Sequence, residues 1–279
     1  MKNNEIVKYL ICPCCHADMS VSDDEKSLFC KGQRSHCFDF SSKGYVNLAG
    51  SRGVTGDAKS AVNARSDFLN KGYYEPIANT LIKILKKYIS DGLVVDAGCG
   101  EGYYTQKISA SGYNTLGIDL SKFAINATAI RLNCNTNEGV FAAVSSVFEM
   151  PLCEGCADAI VSIFAPCAED EMRRVLSDDG IIIVVSAGKE HLMGLKKALY
   201  KSAYENDQRA DMPEGMILLE QEHLRYTITI NNNQDILNLF SMTPYYWRTS
   251  ISDSEKLIGL DSLVTDIDIK FSVYKKELL

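Results

Sequence analysis

The chain has no long hydrophobic run. Its best apolar stretch, Ile181 to Val185, is strand-sized, far short of the roughly 18 residues that cross a bilayer, so no membrane span is expected. The start, MKNNEIVKYLIC, has no long apolar stretch behind its early lysine, so a secretory signal is not expected and the protein reads as cytoplasmic. Positive charge is also short: 29 Lys and Arg stand against 36 Asp and Glu, a formal net charge of -7. That argues against a broad basic surface for non-specific nucleic-acid binding but leaves room for a local basic face. There is no internal repeat and no low-complexity tract. What remains, 279 residues of which 46% are hydrophobic, suffices for one full α/β domain and a small extra module.

Cysteine, in contrast, is plentiful and uneven. Of ten, five (Cys12, Cys14, Cys15, Cys30 and Cys37) fall in the first 37 residues. In a cytosolic chain such clustering reads as metal ligation. Cys12 and Cys15 are spaced C-x-x-C, Cys30 follows, and His36 and Cys37 come just after. Two knuckles of N and S ligands at this separation suit tetrahedral Zn²⁺. The first choice of ligands is Cys12, Cys15, Cys30 and His36, with Cys37, Cys14 and His16 as competitors. A segment this short buries little apolar area, so the metal is expected to supply its folding free energy. Cys153 and Cys156 also form C-x-x-C, but with no second pair nearby they read as loop residues.

Residues 41–75 read as a linker with short ordered pieces, holding Gly44, Gly50, Gly53, Gly56 and Gly72. From Cys30 to Gly72 the chain is locally basic. Lys31, Arg34, Lys43, Arg52, Lys59, Arg65 and Lys71 outnumber Asp39, Asp57 and Asp67.

From Pro76 the pattern becomes regular. Ile77, Leu81, Ile84, Leu85 and Tyr88 recur at helical spacing, and Pro76 suits a first turn. Strands are expected at 93–97, 115–120, 140–144, 159–164 and 181–186. Helices are expected from about residue 103 and over 121–132, 169–176 and 191–205. Such alternation predicts a doubly wound, mostly parallel α/β sheet. LRYTITI (224–230) and IDIKFSVY (267–274) alternate with period two and predict an antiparallel pair at one edge, with a helix over 234–241 between them.

The stretch VVDAGCGEGYYT, Val94 to Thr105, places Gly98, Gly100 and Gly102 in the turn after a strand that ends at Asp96. Glycine serves where the backbone needs φ > 0 or must approach a ligand closely. A dinucleotide fingerprint would be G-x-G-x-x-G. Here Asp96 would repel a pyrophosphate but can orient a cationic amino-acid group. Asp119, in GIDLSK, can accept hydrogen bonds from ribose hydroxyls. The D-x-G-x-G-x-G pattern resembles class I S-adenosylmethionine-dependent methyltransferases, the alternative being a nicotinamide dehydrogenase. By that resemblance the cofactor set is Asp96, Gly98, Cys99, Gly100, Gly102, Tyr104, Asp119, Leu120, Ser145, Ser146 and Phe164. Ser145 and Ser146 stand where many such enzymes carry a polar residue, often Asp, for the adenine.

The zinc knuckle, FDFSSKGYVNL (38–48), DAGCGEGYYT, GIDLSK, FAPC (164–167), HLMGLK (191–196) and MTPYYWR (242–248) together resemble bacterial 23S rRNA guanine-N1 methyltransferases, nearly end to end. The resemblance implies a zinc ribbon (1–40) that helps bind RNA, a class I methyltransferase domain (76–279) and a homodimer whose ribbons face a shared cleft. It carries zinc onto Cys12, Cys15, Cys30 and His36. The Cys30–His36 stretch is two residues longer than in the family, which leaves Cys37 as an alternative fourth ligand. The implied substrate is N1 of a guanine in a hairpin loop of 23S rRNA, contacted by the ribbon and by Lys31, Arg34, Lys43 and Arg52. No catalytic base stands out. Phe164, Ala165, Pro166 and His191 are the candidates near the methyl, with Ala165 and Pro166 shaping a slot for a flat base. Cys167 reads as packing. Tyr103 and Tyr104 stack on the base or pack, and Trp247 packs the tail on the core or lines the slot, the core reading leading. Two other functions stay open: a small-molecule methyltransferase with a structural ribbon, and a non-catalytic zinc-ribbon adaptor.

Overall fold

The computed structural model describes residues 5–49, 57–206 and 215–277. Gly50, Arg52, Gly53 and Gly56 lie outside them. Three short strands, β1 (Met19–Val21), β2 (Ser27–Cys30) and β3 (Cys37–Asp39), form an antiparallel sheet. They follow a 3-10 turn over Glu5–Tyr9. Next come β4 (Val46–Asn47), α1 (Lys59–Leu69), α2 (Glu75–Tyr88), β5 (Leu93–Ala97), α3 (Tyr103–Ala110), β6 (Asn114–Asp119), α4 (Lys122–Leu132) and β7 (Val140–Val144). The chain continues through β8 (Ala157–Ile163), α5 (Glu169–Val175), β9 (Leu176–Ala187), α6 (Met193–Leu199), β10 (Met216–Ile230), α7 (Asn233–Ser241), α8 (Ile251–Ser254) and β11 (Leu263–Lys276).

The main sheet has eight strands in the order β10-β11-β9-β8-β5-β6-β7-β4. The six from β9 to β4 run parallel, and β11 and β10 are antiparallel to their neighbours. This is the class I methyltransferase architecture expected from the sequence. The strand order reverses between β5 and β8, and ligands of such sheets bind beyond the carboxyl ends of the strands at that switch.

Alternate strand residues point to opposite faces, and the two faces meet different partners. Val94, Val161, Ile183 and Phe271 share one core with Phe68 of α1, Ile77 and Leu81 of α2 and Leu239 of α7. Val95, Leu116, Ile160 and Ile182 share the other with Ile6, Leu10 and Leu28 of the N-terminal segment. Burying each of those last three side chains is worth roughly 2 kcal/mol. The N-terminal segment therefore buries more apolar area than its composition suggests, because the catalytic sheet supplies the other wall. The backbone joins too: Ile11 N–H donates to Pro151 O and Cys153 N–H to Tyr9 O.

Three expectations change. The basic linker holds an eleven-residue helix, α1, whose Val62, Phe68 and Leu69 are buried, and Val46–Asn47 pairs with β7 in the main sheet. The long helix expected from His191 to Glu205 stops at Leu199, where Tyr200 turns extended. Lys196, fully buried, explains the turn: its Nζ donates to Tyr204 O and Asn206 Oδ1 and draws the following segment back over α6. Finally, β10 begins at Met216 rather than near Leu224. Its early half runs through three exposed apolar residues, Ile217, Leu218 and Leu219, and then Glu220 and Glu222 pair with Lys87 and Lys83 of α2.

Candidate cofactor and metal sites

Strand β5 is buried throughout and delivers Asp96 to the switch point. In the turn that follows, Gly98 takes φ +84° and an added Cβ would lie 2.6 Å from Ala165 Cβ. At Gly102 an added Cβ would come within 2.9 Å of Thr128 on α4. The loop therefore presses against the end of β8 on one side and α4 on the other.

Three carboxyl groups converge there. Asp96 is buried and accepts a hydrogen bond from Thr105 Oγ1 at 2.6 Å. Burial above all, with nearby Glu101 and Asp119, pushes its carboxyl up to about 7 against the pull of Thr105. Asp119 ends β6 and accepts from the backbone N–H of Gly100 (3.1 Å) and of Ser121 (2.7 Å), while burial raises it. Glu101 is buried inside the loop and raised by burial. Carboxyl groups whose charged form is disfavoured by burial suit a ligand that brings positive charge. Arg65 of α1 is the counterweight. It pairs with Asp57 at 2.7 Å, and its Nη1 lies 3.3 Å from where a Gly100 Cβ would sit.

Other members of the expected set are spread around this centre. Cys99 is buried, with its Sγ 3.9 Å from Thr128 Oγ1. Leu120 is half-buried beside Asp119. Ser145 is buried, and its N–H donates to Asp119 O. Ser146 accepts from Phe148 N–H. Tyr103 and Tyr104 are both buried, edge to face at 5.1 Å, so they pack rather than offer a face to a base. Tyr104 Oη is the one buried side-chain polar atom without a hydrogen-bond partner among the described residues. With the glycine cradle and the three carboxyls, that orphaned hydroxyl fits a site made for a polar, cationic ligand.

At the carboxyl end of β8, Phe164 takes φ +53°, a conformation rarely adopted by residues other than glycine. Its ring is half exposed and stacks on His191 at 5.9 Å and 14°. Tyr74, buried, sits 6.5 Å from Phe164 and 6.3 Å from His191. His191 Nδ1 accepts the backbone N–H of Asp268 at 3.4 Å. Burial pushes its imidazole down to about 4. A neutral ring whose Nδ1 is already engaged suits a wall better than a general base. Ala165 fills the space over Gly98, and Pro166 is exposed. Cys167 packs its Sγ 3.7 Å from Met172 Sδ.

Sequence reasoning missed Glu101, Arg65 and Tyr74. Glu101 was a spacer within the motif, and Arg65 one of several basic residues in a supposed linker. Only tertiary packing brings α1 and the start of α2 over the loop. Trp247 is corrected: 75% exposed, it packs no tail onto the core, because its neighbour Tyr245 turns inward instead.

The N-terminal cluster brings together Cys12, Cys15, Cys30 and His36, whose ligand atoms all lie within 4.8 Å of one another. Cys12 Sγ lies 3.5 Å from His36 Nδ1, Cys30 Sγ 3.4 Å from His36 Nδ1, and Cys15 Sγ 3.6 Å from Cys30 Sγ. A zinc tetrahedron with Zn–S bonds of about 2.3 Å has edges near 3.8 Å, so the four side chains fit that ion. The backbone N–H of His36 holds the Cys30 thiol down at about 6, easing the thiolate that a metal needs. Cys14, His16 and Cys37 are exposed and outside the cluster. Cys153 and Cys156 lie in the loop on which the N-terminal segment docks.

Residues 90–238 match the family described as a methyltransferase domain. The chain belongs to that family. Over most of its length the chain is also similar to three proteins that carry a fuller name. It is 29% identical over 258 residues to the 23S rRNA (guanine(748)-N(1))-methyltransferase of Streptomyces fradiae, covering 88% of each chain. A putative 23S rRNA (guanine-N(1)-)-methyltransferase of Micromonospora griseorubida is 26% identical over 266 residues, covering 88% of this chain and 89% of that one. The putative enzyme YxjB of Bacillus subtilis (strain 168), of the same name, is 28% identical over 275 residues, 92% and 94%. These matches bear out the resemblance read from the motifs.

Proposed function

We propose that this methyltransferase transfers a methyl group from S-adenosylmethionine to N1 of a guanine in a hairpin loop of 23S rRNA, working as a cytoplasmic homodimer with a zinc ribbon. The observation that carries the reading is the extent of the similarity, 88% or more of this chain against relatives of that name. Among the described residues no helix is long and apolar enough to cross a membrane.

When bound, the cofactor supplies a strongly activated methyl sulfonium. Asp119 would hold its ribose hydroxyls, and Asp96 and Glu101 would balance its positive charge. Phe164, Ala165 and Tyr74 wall the end of the site where a flat base would lie, so the chain's main task is alignment. Asp96, pushed up to about 7 chiefly by burial, would be favoured in its ionised form beside a cation, an attraction that is stronger where water is excluded. In the ribbon, Cys12, Cys15, Cys30 and His36 would hold zinc. Lys31 and Arg34 of the ribbon and Lys43 just after it are exposed and suit phosphate contacts.

The net charge of -7 lends slight support to a second reading, a small-molecule substrate with a structural ribbon, which the named relatives do not favour. Labelled methyl transfer to 23S rRNA from a strain lacking this gene, mapped by primer extension, separates the two. A stop at one guanine, absent with Asp96→Ala, is the expected result. Cofactor binding without transfer to RNA or ribosomal particles would select the small-molecule reading.

A further inference from the structure

The segment after α7 presents an aromatic surface that no part of the site uses. Trp247 is 75% exposed and Tyr246 45%. The two rings meet edge to face at 5.0 Å, and Tyr246 is itself set against Phe240 of the core at 5.4 Å. This chain of contacts fixes the indole while leaving a face open to solvent. Arg248, next in the chain to Trp247, is also exposed.

The flanking residues tie this surface to the site. Tyr245 Oη donates to Asn206 Oδ1 at 2.7 Å. Asn206 Nδ2 donates in turn to the carbonyls of Gly188 and His191. His191 carries the ring stacked on Phe164 at the methyl end. Tyr200 and Thr249 share a further hydroxyl contact at 2.5 Å. The segment that carries the indole is thus tied through Tyr245 and Asn206 to His191 and Phe164.

We propose that Trp247 is a stacking platform for an unpaired RNA base neighbouring the methylated guanine. The inference rests on the proposed rRNA substrate and names a contact for it. Unpaired bases are recognised by stacking on aromatic side chains, and an adjacent guanidinium serves the backbone. A fixed indole with an open face and an arginine at its side has that chemistry.

Trp247 is the only tryptophan in the chain, so its emission reports directly on the platform. Transcribed 23S rRNA is titrated into the full-length, zinc-loaded protein, and methyl transfer is measured for wild type, Trp247→Ala and Trp247→Phe. The expected result is saturable quenching of the emission and a KM for RNA raised about tenfold in Trp247→Ala. Its kcat and cofactor affinity stay unchanged, and Trp247→Phe recovers most of the loss. Methylation with silent emission and an unchanged KM in Trp247→Ala overturns the platform and leaves the rRNA reading standing. No methylation together with saturable quenching overturns the guanine reading and, with it, the placement of the stacked base beside a methylated guanine. No methylation and no quenching overturns both the guanine reading and the platform. If Trp247→Ala weakens self-association in sedimentation and leaves the KM for RNA alone, the surface is a contact between copies and the proposal fails.

Discussion

Gly98 illustrates how narrowly single residues define the cofactor site. Its left-handed φ costs any L side chain about 1–2 kcal/mol, and the neighbouring Ala165 Cβ leaves no room. Gly98→Ala should weaken S-adenosylmethionine binding by an order of magnitude or more in calorimetry. Gly112 also has positive φ but nothing within 4 Å of an added Cβ, so Gly112→Ala should pay only the strain and leave binding intact. Equal losses in both would show that crowding is not the cause. Asp96 makes a prediction about pH. Its raised folded value means that it stabilises the free protein fully below the unfolded value of about 4, and that this contribution is lost as pH rises through about 7. Cofactor affinity moves the other way, because the ionised form attracts the cation. The dissociation constant should fall across roughly pH 6 to 8, and Asp96→Asn should flatten the profile. A wild-type profile already flat would refute the assignment.

At the scale of elements, the ribbon's two knuckles test the ligand set. Cys15→Ser and His36→Ala should each lose zinc when metal content is measured, whereas Cys37→Ser should retain it. Zinc lost from Cys37→Ser but kept in His36→Ala would exchange the two residues. Much of the element order was legible. Strands β5 to β9 and helices α2 to α5 and α7 stand close to where the pattern placed them, because the strands are short apolar runs buried on both faces and the helices between them carry apolar residues at helical spacing. The glycine turn was legible for the same local reason. Failures came where distant partners decide the local shape. Helix α6 ends early because Lys196, which reads as a surface residue, is buried under the segment that follows. The first half of β10 escaped notice because its Glu220 and Glu222 answer lysines on α2, far away in sequence. Trp247 was placed inside because large aromatics usually are, and only the inward turn of Tyr245 shows otherwise.

For the whole molecule, the shared core ties metal to global stability. Ile6, Leu10 and Leu28 lie in the same cluster as Val95, Leu116 and Ile160 of the main sheet. Stripping zinc with a chelator should therefore lower the melting temperature of the entire chain, by roughly 10 °C if several kcal/mol are lost. Calorimetry should show one transition that moves. A catalytic-domain transition that stays in place while a small early one appears would mean that the two parts unfold independently.

The same shared core sets a rule for heredity. A ribbon that sheds its hydrophobic wall onto the sheet cannot be traded freely between genes. A recombinant that joined the first forty residues of one relative to the remainder of another would have to bring matching shapes at Leu10 and Leu152, which meet across the seam. Changes on one side of that seam are therefore expected to be answered on the other, and the two parts should descend together as one heritable unit.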